Sequence, residues 1–143
     1  MTSTLRVIIV VVFIALHASV PSSAQLKSFR GPLVQERIAP LTVSHDGIRV
    51  TSYQFLRSLR HVEKIFKADA PAIRFALINE ATEARDVALA VALFDASGNL
   101  VGVASEAQKL KPGESRDLDL TFRSLNRYAP EATTLQLSIE TRL

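Results

Sequence analysis

Residues 86–94 place a bulky aliphatic side chain at every second position. Val87, Leu89, Val91 and Leu93 alternate with Ala88, Ala90 and Ala92. Residues two apart share one face of a strand, whereas a helix repeats every ~3.6 residues. The stretch therefore predicts a β-strand. Because both of its faces are apolar, it suits a central strand rather than an edge. One face is bulky and belongs in a core; the other is alanine and nearly flat.

The same period recurs on both sides of this strand. Ile73, Phe75 and Leu77 alternate with Arg74, Ala76 and Ile78 within residues 72–79. Leu118, Leu120 and Phe122 alternate with Asp117, Asp119, Thr121 and Arg123, the pattern of a sheet with one wet face. Leu135, Leu137 and Ile139 alternate with Gln136, Ser138 and Glu140. Further strands are expected at Ile48 to Tyr53 and, after a turn, at Leu100 to Ala104. Asp46-Gly47, Asn79 to Glu83, Asp95 to Asn99 and Leu110 to Glu114 carry the turn-forming residues between them. Ser124 to Glu131 reads as a connecting loop with room for a short helical turn.

These elements predict an all-β fold, an antiparallel immunoglobulin-like β-sandwich of six strands. A seventh comes from Leu33 to Val43, where Pro40 is tolerated only at an edge or strand end. The expected organisation is a signal peptide at 1–24, a leader or linker at 25–46 and the sandwich at 47–143.

One segment breaks the pattern. Within 53–67, Phe55, Leu59, Val62 and Phe66 fall three or four residues apart, and so do Arg57, Arg60, Lys64 and Lys67 on a different side. That describes a short basic amphipathic helix. Two strand pieces are the competing reading, because Val62, Lys64 and Phe66 also alternate. The apolar stripe needs a surface to cover, and the alanine face of 86–94 offers one.

The amino terminus reads as an export signal. Arg6 precedes an uninterrupted apolar run from Val7 to Leu16, and Pro21 and Ser22-Ser23-Ala24 follow. The run is shorter than the ~20 residues needed to span a bilayer, so cleavage after Ala24 is expected, leaving Gln25 first. The sequence has no cysteine. That excludes disulfides, thiolate metal sites, cysteine nucleophiles and a lipid-modified cysteine anchor, and it favours a bacterial envelope over animal secretion. With 48% hydrophobic and 22% charged residues, the chain can build a core and is not a disordered one. Charge is uneven. Residues 25–68 carry eight Lys/Arg against three acidic side chains, and residues 69–143 carry eight against eleven. Such asymmetry marks either an anionic partner or plain solubility.

The central block resembles the bacterial immunoglobulin-like domains named for an F-x-L-Y-D motif. The residues that carry the resemblance are Val91-Ala92-Leu93-Phe94-Asp95, Gly98, Leu110-Lys111-Pro112-Gly113-Glu114 and Asn79. Val91 stands where the motif has phenylalanine and Phe94 where it has tyrosine. The resemblance covers roughly residues 72–140. It implies an exported sandwich and no shared chemistry.

No constellation points to catalysis. His45 and His61 lack the spaced carboxylate or thiolate partners of a zinc site. No serine sits in a nucleophile-elbow context, and no glycine-rich phosphate loop exists. Asp95, Ser97 and Asn99 alternate like the start of a calcium loop, with Glu106 at its twelfth position. The competing reading is a hairpin turn in which Asp95 bonds local amides. The expectation is therefore a non-enzymatic module, without cofactor or metal and without nucleic acid as partner. It would be periplasmic or secreted and would bind protein through a sheet edge or the flat alanine face. In the alternative, Arg57, Arg60, Lys64 and Lys67 dock on an anionic membrane or lipopolysaccharide surface.

Overall fold

The computed structural model describes residues 25–56, 71–122 and 131–142. They form eight strands: β1 (Gln25–Pro32), β2 (Ala39–His45), β3 (Ile48–Leu56), β4 (Ala72–Asn79), β5 (Arg85–Phe94), β6 (Leu100–Leu110), β7 (Ser115–Thr121) and β8 (Thr134–Arg142). The strands build two four-stranded sheets, β1-β8-β5-β6 (sheet A) and β2-β3-β4-β7 (sheet B), with every pairing antiparallel. The all-β antiparallel sandwich predicted from sequence is the fold, with eight strands in place of six or seven. β3, β4 and β7 occupy the positions of immunoglobulin strands A, B and E, and β5 and β8 those of C and F. β6 lies beside β5, and β1 fills the edge position that strand G holds in that order.

The inner faces follow the alternation. Ile73, Phe75 and Leu77 of β4 and Val87, Leu89, Val91 and Leu93 of β5 are buried against Leu118 and Leu120 of β7 and Leu135, Leu137 and Ile139 of β8. Each such side chain contributes about 1.5–3 kcal/mol by leaving water.

The extra strands come from residues 25–46, which sequence reads as a leader. β1 pairs with β8 along its whole length, from Gln25↔Thr141 to Pro32↔Thr134. β2 starts at Ala39 rather than Leu33 and is an edge strand, as its proline requires. The helical reading of 53–67 is corrected at its start. Residues 53–56 belong to β3, in register Tyr53↔Phe75 and Phe55↔Ile73. Both aromatic rings point inward, Tyr53 packing 6.1 Å from Phe75 and Phe55 6.3 Å from Phe122. Burial of two rings outweighs the helical spacing there. The rest of that segment, residues 57–67, and residues 1–24, where a signal peptide is expected, lie outside the described residues.

The turns carry the sheet-to-sheet geometry. Asp46 and Gly47, at φ 47° and 80°, close the β2–β3 hairpin as a turn with both central residues left-handed. Gly47 has no room for a Cβ, which would come 2.7 Å from Ala81 Cβ. Asn79 is a fully buried polar side chain at the end of β4, at the junction with sheet A. Its Nδ2 donates to the carbonyls of Glu83 (2.9 Å), Leu110 (3.2 Å) and Lys111 (3.2 Å), and its Oδ1 accepts from Ala81 N–H (2.9 Å). The loop leaving β4 is thereby tied to the β6–β7 turn.

Candidate functional site

The flat side of β5 becomes part of a wider surface because of strand register. Ala88 stands between Glu140 of β8 and Ala107 of β6, and Leu26 of β1 lies beyond Glu140. The next level up is Ser28, Ser138, Ala90 and Ser105, and the one after it Arg30, Gln136, Ala92 and Val103. The middle of sheet A's outer face thus carries no side chain larger than serine at Ala88, Ala90, Ser105, Ala107, Ser28 and Ser138.

Its rim is apolar at two corners. Leu26 is 66% exposed at one, and Leu100 (44%) and Val103 (38%) at the other. Shallow hollows lie across the face, one between Ala88, Ala107, Lys109 and Glu140 and another between Ala90, Ala92, Val103 and Ser105. At the β1 end the Arg30 guanidinium sits 4.6 Å over the Phe94 ring, which anchors both side chains against the sheet. At the opposite end Asp86, Arg142 and Lys109 form a charged border, with Arg142 Nε donating to Glu140 Oε1 at 2.8 Å. Residues 53–56 of the segment expected to cover this face lie in sheet B instead. Among the described residues, none covers it.

The candidate calcium positions form a closed turn. Asp95 Oδ1 accepts from the N–H groups of Ser97 and Asn99, both at 2.9 Å, and its Oδ2 accepts from Asn99 Nδ2 at 3.1 Å. These bonds, the Asn99 amide first, hold the Asp95 carboxyl below the usual carboxylate range. Glu106 does not return to the turn; it sits along β6 opposite Leu89. His45 Nε2 is buried without a hydrogen-bond partner, and His61 lies outside the described residues. Among the described residues no group of three or more His, Asp or Glu is placed to hold a metal ion.

Arg57, Arg60, Lys64 and Lys67 lie outside the described residues. The strand ends that flank them are described: Leu56, Ala72 and Thr121 stand side by side in β3, β4 and β7, and Phe122 N–H donates to Pro71 O at 2.9 Å. Segments 57–70 and 123–130 therefore leave the sandwich from neighbouring positions at one end. Sequence reasoning found the alanine strand of the face but missed its Leu26, Ser28 and Ser105 components. No pairing partner is legible in the spacing of a single strand; only an Asx-type turn such as Asp95–Asn99 fixes one, and it does so for β5 with β6 alone.

No family model matches the chain, and no curated protein matches it.

Proposed function

We propose that this chain is an exported, non-enzymatic interaction module of the bacterial envelope, of the FxLYD immunoglobulin-like kind, and that it binds protein through the outer face of sheet A. The observation that carries the reading is the coincidence of a flat alanine–serine field with exposed Leu26, Leu100 and Val103 on one face that no described residue covers. Exposed large apolar side chains gathered on one surface mark interaction sites, whereas scattered ones do not. Export is supported by Arg6, the Val7 to Leu16 run and the Ser22-Ser23-Ala24 site.

A second reading keeps its own support. The segments that leave the sandwich side by side carry Arg57, Arg60, Lys64 and Lys67 in one and Arg123 and Arg127 in the other. Six basic residues in two segments whose described flanks are neighbours suit an anionic membrane or lipopolysaccharide surface.

Crosslinking of the exported protein in envelope extract separates the two. Under the first reading, protein adducts form with the wild type, persist in high salt and vanish in Ala90→Arg. Under the second, Ala90→Arg changes nothing. Binding to anionic vesicles then disappears with salt and with glutamine at positions 57, 60, 64 and 67. Absence of Ala90-dependent adducts and of vesicle binding alike defeats both.

A further inference from the structure

We propose that the outer face of sheet A takes a second copy of this chain, face to face, about a two-fold axis parallel to the strands and lying between β8 and β5. The inference rests on the reading of that face as a protein-docking surface and names its occupant.

The two halves of the face are unequal in a complementary way. The β1/β8 half carries the larger side chains, Leu26, Gln136 and Glu140 among them. The β5/β6 half carries Ala88, Ala90, Ala92 and Ala107. Within one level the order across the sheet is Leu26, Glu140, Ala88, Ala107. A two-fold axis through the middle of that row reverses it. Leu26 of one copy then faces Ala107 of the other, Glu140 faces Ala88, and two levels further on Gln136 faces Ala92. Leu26, Glu140 and Gln136 each meet an alanine, while Arg30 meets Val103 at the rim; large against small at the three inner matches is the shape condition for two sheets to pack closely. Because the contact is isologous, every such match occurs twice.

Charge obeys the same operation. Asp86 and Arg142 stand side by side in register at the border of the face. The axis places Arg142 of each copy opposite Asp86 of the other and so forms two ion pairs across the interface. No like-charged pair is brought together in the rows named. The sheet edges are less suited to a partner. β1 has an exposed Lys27 on the side away from Leu26, and β6 turns Glu106 toward the inner side, both of which discourage strand addition.

Four strands ~4.8 Å apart and about nine residues long at ~3.3 Å each outline roughly 550 Å² per copy. The ~1,100 Å² total is close to the lower bound of specific interfaces, ~1,200 Å², so the dimer should be reversible and of micromolar strength.

Sedimentation equilibrium of the exported protein across the micromolar range tests this. The expected result is a monomer that becomes a dimer with rising concentration. Ala90→Arg, which places a long cation in the flat field, should remain monomeric while its unfolding midpoint in dilute solution stays at the wild-type value. Asp86→Arg and Arg142→Asp should each also remain monomeric, since each sets like charges across the axis. Mixed in equal amounts, the two variants should dimerise, because the arginines of one then face the aspartates of the other. Within each chain the like charges persist, so rescue on mixing arises only across the interface. A chain that stays monomeric throughout, a dimer indifferent to Ala90→Arg, or variants that fail to rescue each other overturns the proposal. If Ala90-dependent adducts with other envelope proteins form from a monomeric chain, the docking face stands and the second copy does not.

Discussion

At the middle of sheet B's outer face, Arg74 Nε and Nη2 donate to the two carboxylate oxygens of Asp119 at 2.7 and 2.8 Å, with Gln54 on the other side of Arg74. At the middle of sheet A's outer face stand Ala90, Ser105 and Ser138. The inner faces of the two sheets are alike, each a ladder of Val, Ile, Leu and Phe. Only the solvent sides differ. One is finished with paired charges, Arg49–Glu80 and Arg74–Asp119. The other keeps its Arg142–Glu140 pair at the border, is short in side chains at its centre and leaves Leu26, Leu100 and Val103 in water. An outer face bound only by solubility requirements would resemble sheet B. The difference teaches that folding fixes what lies between the sheets and leaves their outer chemistry free to diverge.

The sharpest test uses adjacent residues of β5. Leu89 is 1% exposed and points into the core, while Ala90 points into the flat field. Leu89→Ala should cost about 2–5 kcal/mol by leaving a cavity. Ala90→Lys should stay within about 0.5 kcal/mol in dilute solution, as surface substitutions do. Urea denaturation of both beside the wild type reads the two effects. A costly Ala90→Lys would mean that the face is covered and would dissolve the contrast between the sheets. A harmless Leu89→Ala would refute the register.

Legibility followed burial. β4, β5, β7 and β8 were readable because each turns one face to the core and shows a clean period of two. β1 was not, since Phe29 is its only large side chain packed on the core, and the strand is held instead by backbone pairing to β8. β6 was read as ending at Ala104 but continues to Leu110. Its later residues, Ser105-Glu106-Ala107-Gln108-Lys109, lose the alternation because this edge strand has little core left to cover. The flat outer face of sheet A was half legible for the same reason. The alanines announce themselves within one strand, whereas Ser28, Ser138 and Leu26 join them only through inter-strand register.

A smaller effect is expected on the finished face. The Arg74–Asp119 bridge is bidentate, and Asp119, chiefly through its hydrogen bond, holds the arginine's proton still more firmly than usual. Both side chains are about one-third exposed, 31% and 34%, so solvent screens the pair. A double-mutant cycle with Arg74→Ala and Asp119→Ala should give a coupling of about 0.5–1 kcal/mol, decreasing in high salt. A coupling of zero would show that the charges on sheet B serve solubility alone. Any large coupling would make that face a structural element rather than a solvated one.

The smallest effect lies in the turns that border sheet A. Asp95 closes the β5–β6 hairpin that carries the flat half of the face, and its carboxyl is held below the usual range, first by the Asn99 amide. Glu114 closes the β6–β7 turn that passes to sheet B. Its Oε2 accepts from Lys111 N–H at 2.8 Å, which together with Arg116 lowers its carboxyl as well. A carboxyl depressed in the folded state stabilises above its unfolded value, about 4, and that contribution is lost as pH falls through the folded one. Wild-type stability should therefore decline below about pH 4. Asp95→Ala and Glu114→Ala should each be less stable than wild type at neutral pH, with a flatter acid limb and a gap that narrows toward low pH. Both groups lie at the surface, partly exposed to solvent that screens them, so the midpoint shifts should be slight. Thermal melts at stepped pH read them. If Asp95→Ala keeps the wild-type acid slope, the hairpin is set by Gly98 at φ 82° and by strand pairing, and the carboxylate is incidental to it. If only Glu114→Ala flattens the slope, the pH-sensitive contact is the crossing between the sheets rather than the border of sheet A's outer face.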